Sequence, residues 1–217
     1  RYCRSAETWP SLMPEHTVER LARVLLSPEQ ALRSEACNLR ELELFLPHTG
    51  EPFIPASVLC ALVARDAGLH VLLTKRAGYL RHHAGQISFP GGRIEAQDAD
   101  PYQAALREAH EEINLAPESA RFIGYLDPML TITGFKVYPA VALLNAGYTA
   151  SADGVEVDEL FEAPLSLFLD EGNERFFELE FKGAIRRLVE FRWQEHRVWG
   201  ATAAMLINLR QKLLEQP

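Results

Sequence analysis

An α/β fold, a sandwich of mixed β-sheet flanked by helices, is predicted by two features of the sequence. Short apolar runs bounded by Gly, Pro and Asp outnumber the segments with helical periodicity. The long helical segments are few, and the clearest are residues 101–113 and 200–214, with strand-like runs before and between them.

Residues 14–46 alternate helical and irregular signals and end at the turn-rich Pro47-His48-Thr49-Gly50. Ser57–Val63 and His70–Thr74 read as strands joined by a turn around Asp66-Ala67-Gly68. Gln86–Phe89 is a short strand closed by the breaker Pro90-Gly91-Gly92. Pro101–Ile113 is a helix: Asp98 or Asp100 can cap it, and Pro101 suits its first turn. Strands are expected at Arg121–Tyr125, Val137–Leu144, Phe176–Phe181 and Val189–Trp193. Gly200–Leu214 is a closing amphipathic helix that offers Met205, Leu206, Leu209, Leu213 and Leu214 to one face, with Thr202 or Gly200 as its cap. There is no repeat, low-complexity tract or long linker, so a single domain over 16–217 is expected behind a flexible N-terminal segment of residues 1–15.

With 47% apolar and 24% charged residues in 217, the composition is that of a globular protein able to fold without disulfides. Cys3, Cys37 and Cys60 are widely spaced and form no CxxC pair, which fits a reducing compartment rather than a disulfide framework or zinc site. No run of about 18 apolar residues suggests a membrane span, and the N-terminus lacks the apolar core of a signal peptide. A cytoplasmic location is the expectation. The formal net charge of −8 argues against a nucleic-acid partner. A phosphate-bearing small molecule would need its charge neutralised locally, and carboxylate-held metal ions do that. A homodimer is left open.

The helix at 101–113 carries the chemistry. With about 100° per residue, Tyr102, Leu106, Ala109 and Ile113 share one side, the natural core face. Glu108, Glu111 and Glu112 share another, and these like charges repel with no Lys among them. A hard cation such as Mg²⁺ removes that conflict, because it prefers carboxylate and water oxygens. For a Glu-rich helix in isolation, a solvated acidic face is the commoner explanation. The glycine-rich approach upstream and the neighbouring Arg107 weigh against it here.

Phe89-Pro90-Gly91-Gly92 followed by Arg107-Glu108-Ala109-His110-Glu111-Glu112-Ile113-Asn114-Leu115 resembles the motif of the Nudix hydrolases, whose loop–helix–loop carries a REUxEE core. The resemblance implies a Nudix-type α/β/α sandwich and metal-dependent attack of water on a nucleoside diphosphate compound, with Mg²⁺ or Mn²⁺ as cofactor. It implies Glu108, Glu111 and Glu112 as metal ligands, and Arg107 as the brace of the loop through a loop carboxylate. Two departures stand out. Asn114 replaces the usual glycine, at a helix end where Asn is the next-best left-handed residue. The stretch from Gly92 to Arg107 is one residue longer than the general pattern, which leaves Glu95 or Asp98 as the brace partner.

A second stretch, Leu72-Leu73-Thr74-Lys75-Arg76-Ala77 through Arg81 and Gly85 to Phe89-Pro90-Gly91-Gly92, resembles the extra motif of the coenzyme A pyrophosphatase branch. The resemblance implies cleavage of coenzyme A or its acyl derivatives to 4′-phosphopantetheine and adenosine 3′,5′-bisphosphate. Arg76 and Arg81 then suit a bidentate grip on the diphosphate or the ribose 3′-phosphate, and Gly91 and Gly92 suit close backbone approach to the substrate. Lys75, His82 and His83 occupy variable slots and are expected at the surface, while His110 is expected near the core side of its helix. Val198-Trp199-Gly200-Ala201-Thr202-Ala203 is similar to the WGxTA-like helix start of the same branch, a packing feature. Water activation is open between Glu111 or Glu112 in the helix and a carboxylate from a later loop, for which Glu156, Asp158 and Glu159 are the candidates. Glu156, Asp158 and Glu159 lie in a segment expected to pack a strand edge with its acids in solvent, and receive no role. Two other readings stay open: the same chemistry on ADP-ribose, a dinucleotide or a nucleoside triphosphate, and a non-catalytic ligand sensor.

Overall fold

The computed structural model describes residues 14–39, 52–80, 83–181 and 183–214. Most of the segment expected to be flexible, and Arg81 and His82, lie outside the described residues.

Strands β1 (Ile54–Arg65) and β2 (Gly68–Arg76) form an antiparallel hairpin, closed where Gly68 takes φ 111°. Both are longer than the sequence suggested, and their mutual pairing stops at Leu62↔Val71. Beyond that point β3 (Ile87–Ser88) pairs with β2, and β4 (Gly91–Arg93) pairs with β1. The Phe89-Pro90-Gly91-Gly92 segment therefore fills the wedge where the hairpin splays, and Pro90 O accepts from Leu59 N at 2.9 Å. The glycine pair read as a strand-closing breaker is itself in a strand.

The helix α3 (Pro101–Ile113) follows; among the described residues α1 (Pro14–Val24) and α2 (Pro28–Arg33) precede it. Strand β7 (Phe135–Leu144) runs parallel to β1 from Ile54↔Phe135 to Val63↔Leu144, with β5 (Ala120–Tyr125) and β6 (Met129–Leu130) antiparallel to it. Strand β8 (Val157–Pro164) completes the mixed eight-stranded sheet on the outer edge of β2.

β1 is buried on both faces, which explains its near-continuous apolar run. Leu59, Ala61 and Val63 enter one core with Ala105, Leu106, Ala109 and Ile113 of α3. Cys60 and Leu62 enter the other with Leu21 of α1 and with α4 (Leu165–Leu169) and α5 (Gly200–Leu214). Helices on both faces of a mixed sheet form the expected sandwich.

The C-terminal strands expected at Phe176–Phe181 and Val189–Trp193 are present, the second of them longer than expected. β9 (Arg175–Phe181), β10 (Ala184–Trp193) and β11 (His196–Trp199) form a separate antiparallel sheet, and its Phe191 and Val198 join the core of α5. Covered by this sheet, α5 is not the amphipathic helix that was expected: Asn208, Arg210 and Lys212 are buried as well. They are paired, Asn208 and Lys212 with Asp127 at 2.9 and 3.0 Å and Arg210 with Glu174 at 2.6 Å. Leu214, assigned to the core face, is exposed. Thr202 does not cap the helix; its hydroxyl donates to Ile87 O at 3.0 Å and ties α5 to β3. Among the described residues no helix is long and apolar enough to cross a membrane.

Candidate active site

Local chemistry fixes both ends of α3. Asp100 is the N-cap, its carboxylate accepting from Gln103 N at 2.9 Å, with Pro101 in the first turn. At the C-terminus Asn114 sits in the left-handed region (φ 51°, ψ 29°), and Leu115 N donates to Ala109 O at 3.3 Å, closing the helix as a glycine would. Leu106, Ala109 and Ile113 are buried as expected, and half-buried Tyr102 donates its hydroxyl to Ala120 O. His110 is exposed instead of near the core, with Nδ1 at 3.2 Å from Leu115 O.

Of the two carboxylates left open for Arg107, Asp98 is the partner. Arg107 Nε and Nη2 reach its two oxygens at 3.0 and 3.1 Å, a bidentate pair in which the Asp98 side chain is 4% exposed. Asp98 Oδ2 also accepts from Glu95 N at 2.8 Å, so Glu95 contributes backbone to the loop rather than charge to the brace. The Arg107 hydrogen bonds hold the Asp98 carboxyl below its usual range, and the same contact pushes the guanidinium further up. Arg107 Nη2 donates to Arg93 O at 3.0 Å as well, which clamps β4 to α3.

Glu112 is the most enclosed of the helix carboxylates, its side chain 8% exposed. Its Oε2 accepts from Gly91 N at 3.0 Å and its Oε1 lies 3.6 Å from Arg76 Nη1. Burial pushes its pKa up to about 7, against the Gly91 hydrogen bond and the Arg76 charge; Glu108 and Glu156 add to the rise. Glu108 is also raised, first by burial, although Arg107 Nη1 donates to it at 2.9 Å. Glu111 is 58% exposed and only 3.5 Å from Arg107. The glycines match this crowding. A Cβ on Gly91 would run into the backbone of Ser57 and Val58 in β1, and a Cβ on Gly92 would lie 2.5 Å from the Glu108 carboxyl carbon.

Glu156, given no role from the sequence, belongs to this group. Ser151 N and Asp153 N donate to Ile113 O and Glu112 O at the end of α3, at 2.9 and 3.0 Å. The Asp153 carboxylate then gathers the N–H groups of Val155, Glu156 and Val157. This turn sets Glu156 Oε2 at 3.3 Å from Arg76 Nη2, so Arg76 bridges Glu112 and Glu156. The link is tertiary, and no local pattern around Glu156 announces it.

The neighbouring acids face elsewhere. Asp158 accepts from Gly78 N at 3.0 Å, and Glu159 lies 3.6 Å from Lys75 Nζ, a strand residue whose side chain is part-exposed, as expected. Glu159 also meets buried His196 at 3.0 Å, and with Glu195 these residues bring possible ligand atoms within 4.8 Å of one another, a grouping invisible in sequence. Their site adjoins a cavity of about 290 Å³ lined in part by Lys75, Gln86 and Trp199. His83 pairs with Gln86 at 2.9 Å.

Around α3, then, four carboxylates of Glu108, Glu111, Glu112 and Glu156 converge on two arginines. All the donors are hard oxygens, and Glu112 holds its proton more tightly than a carboxylate in water does. That set suits a hard divalent cation such as Mg²⁺ or Mn²⁺, whose charge would relieve the mutual repulsion.

Comparison with known proteins identifies the family. The NUDIX domain family matches residues 54–175, which includes the glycine loop, α3 and Glu156. A relative from Citrobacter koseri, described as an uncharacterized Nudix hydrolase NudL, is 42% identical over 196 residues, 89% of this chain and 92% of its own. Its counterpart from Enterobacter sp. strain 638 is 39% identical over 163 residues, covering 75% and 84%. Among solved structures, a Nudix hydrolase from M. smegmatis, RenU, aligns over 54% of this chain and 73% of its own at 23% identity and TM-score 0.46. The chain belongs to the Nudix hydrolase family and is a pyrophosphohydrolase.

Proposed function

We propose that the protein hydrolyses the diphosphate bridge of coenzyme A or its acyl derivatives, releasing 4′-phosphopantetheine and adenosine 3′,5′-bisphosphate. Glu108, Glu111 and Glu112 hold Mg²⁺ or Mn²⁺, and Arg76 and Arg81 bind the substrate. The observation that carries this reading is Arg76. It is the arginine of the LLTxR run, and its guanidinium bridges Glu112 of the metal helix and Glu156. A diphosphate arriving there exchanges those carboxylate contacts for phosphate oxygens, which a guanidinium binds bidentately.

A bound divalent cation supplies Lewis acidity and a more acidic water. The chain's own residues supply position. Arg107, locked on Asp98 and on Arg93 O, holds the glycine loop against α3. Gly91 N–H orients the Glu112 carboxylate, and Gly92 leaves room for Glu108. The water's proton passes to Glu111 or Glu112, both on the α3 face that Arg107 and Arg76 border.

The test is product identification after incubating coenzyme A with Mg²⁺ in ¹⁸O-labelled water, together with kcat/KM across coenzyme A, ADP-ribose, dinucleotides and nucleoside triphosphates. The expected products are 4′-phosphopantetheine and adenosine 3′,5′-bisphosphate, one of them carrying the label. Equal or better turnover of ADP-ribose overturns the substrate assignment. Absence of turnover of every diphosphate with either metal overturns the enzymatic reading of the site.

A further inference from the structure

We propose that Tyr79 is the stacking platform for the substrate's heterocyclic base and so a determinant of specificity; the inference rests on the nucleotide-diphosphate reading above. Tyr79 is 67% exposed, a large aromatic surface left open to water. An exposed tyrosine alone is unremarkable. What singles this one out is that it is held still, and where it is held.

Hydrogen bonds fasten residues 77–79 to residues 154–158, the segment that carries Glu156. Ala77 N donates to Glu156 O at 2.8 Å, Gly78 N donates to the Asp158 carboxylate at 3.0 Å, and the Tyr79 hydroxyl donates to Val155 O. The ring is thus fixed by its polar end while its faces are not used in any ring-stacking pair recorded among the described residues. A platform ordered before binding loses little entropy when a ligand stacks on it.

Its location is set by adjacent residues. Val155 receives the Tyr79 hydroxyl, and Glu156, next in the chain, pairs with Arg76. Val155 itself is 63% exposed. One short turn thereby carries an apolar surface at one residue and the edge of the charged cluster at the next. A substrate with its diphosphate on Arg76 has to place one of its flanking groups against this turn. Of the groups in a nucleoside diphosphate compound, the flat base is the one whose π-face matches a tyrosine ring.

Stacking of a base on an aromatic side chain is worth roughly 1–3 kcal/mol by alanine substitution, so Tyr79→Ala is expected to cost roughly tenfold in kcat/KM. The measurement is the ratio of kcat/KM for coenzyme A to that for a 1′-deoxy abasic analogue, which keeps every phosphate and the pantetheine arm. Wild type is expected to favour coenzyme A, Tyr79→Ala to lower the ratio by about tenfold, and Tyr79→Phe, which keeps the ring but loses the hydroxyl that tethers it, to give a ratio between the two. The Phe variant separates stacking from the hydroxyl tether, and Mn²⁺ titration of each variant reports whether the metal site is intact. A ratio unchanged in Tyr79→Ala, or a wild type indifferent to the base, overturns the inference while the proposed function stands. If wild type cleaves neither compound with Mg²⁺ or Mn²⁺, the functional reading fails and takes the inference with it.

Discussion

In the metal-free protein Glu112 should destabilise the fold, and replacing it with glutamine should therefore stabilise the protein at alkaline pH. The carboxyl has an ordinary value of 4.5 and is pushed up to about 7, chiefly by burial. The folded chain thus binds this proton more tightly than the unfolded chain. Its stabilising contribution is complete below pH 4.5 and is lost as pH rises through 7. A tenfold change in proton affinity is worth about 1.4 kcal/mol, so ionising Glu112 in place costs the fold about 3 kcal/mol. Glu112→Gln removes the titration, keeps the shape and retains an oxygen to accept from Gly91 N. Urea unfolding of EDTA-treated wild type and variant at pH 5 and pH 8 measures the effect as a double difference, which cancels every other titrating group. The variant should gain on wild type by up to about 3 kcal/mol between the two pH values, and saturating Mg²⁺ at pH 8 should reverse the advantage. A stability difference that does not change with pH, or that moves in favour of metal-free wild type at pH 8, refutes the assignment of burial as the dominant influence on this carboxyl.

Four further outcomes are expected. Glu111→Gln and Glu112→Gln should each lower kcat by about 10²-fold or more in steady-state assays with Mg²⁺; near-wild-type turnover in both removes the case for α3 as the catalytic helix. Asp98→Asn breaks the bidentate pair with Arg107 and leaves a mostly buried guanidinium short of charge, so urea unfolding should show a loss of about 2–3 kcal/mol. Glu95→Gln, which leaves the backbone contact in place, should stay within about 0.5 kcal/mol. Gly92→Ala puts a methyl against the Glu108 carboxylate, the movable end of a side chain, so Mn²⁺ affinity measured by calorimetry should fall by about 10-fold or more with little change in melting temperature.

How much of this was legible in the sequence depends on how local the cause was. α3 could be bounded to the residue because its start and stop are chemical: Asp100 and Pro101 at one end, Asn114 in the left-handed region at the other. The long apolar runs of β1 and β7 marked them as strands of a mixed sheet, but their parallel pairing with each other is visible only in the structure. β4 was read as a breaker because Gly91-Gly92-Arg93 has no side-chain pattern of a strand. It becomes one only because the β1–β2 hairpin opens a wedge that offers it backbone partners. The periodicity of α5 misled for a related reason. A helical pattern reports one covered face, and here the β9–β11 sheet and Asp127 accept the polar side as well.

The same distinction runs through the site. The spacing of Glu108, Glu111 and Glu112 is a property of one helix and could be read directly, but spacing alone says nothing about how each carboxylate is solvated. The structure separates them: Glu111 is 58% exposed and Glu112 is 8% exposed against Gly91 N–H and Arg76. That asymmetry comes from the glycine segment pressed between β1 and α3, so the glycines are part of the electrostatics as well as of the shape. Glu156 was passed over because its acids lie in a segment that pairs with β2, and strand alternation gives no reason to turn one toward α3. The hydrogen bonds of Ser151 and Asp153 to the last carbonyls of α3 supply that reason. A helix end whose last carbonyls need donors thus recruits the loop that completes its own charged cluster, and a change confined to the Asp153 side chain, which contacts the N–H groups of Val155, Glu156 and Val157, should disturb Arg76 and the Glu112 carboxylate without touching either.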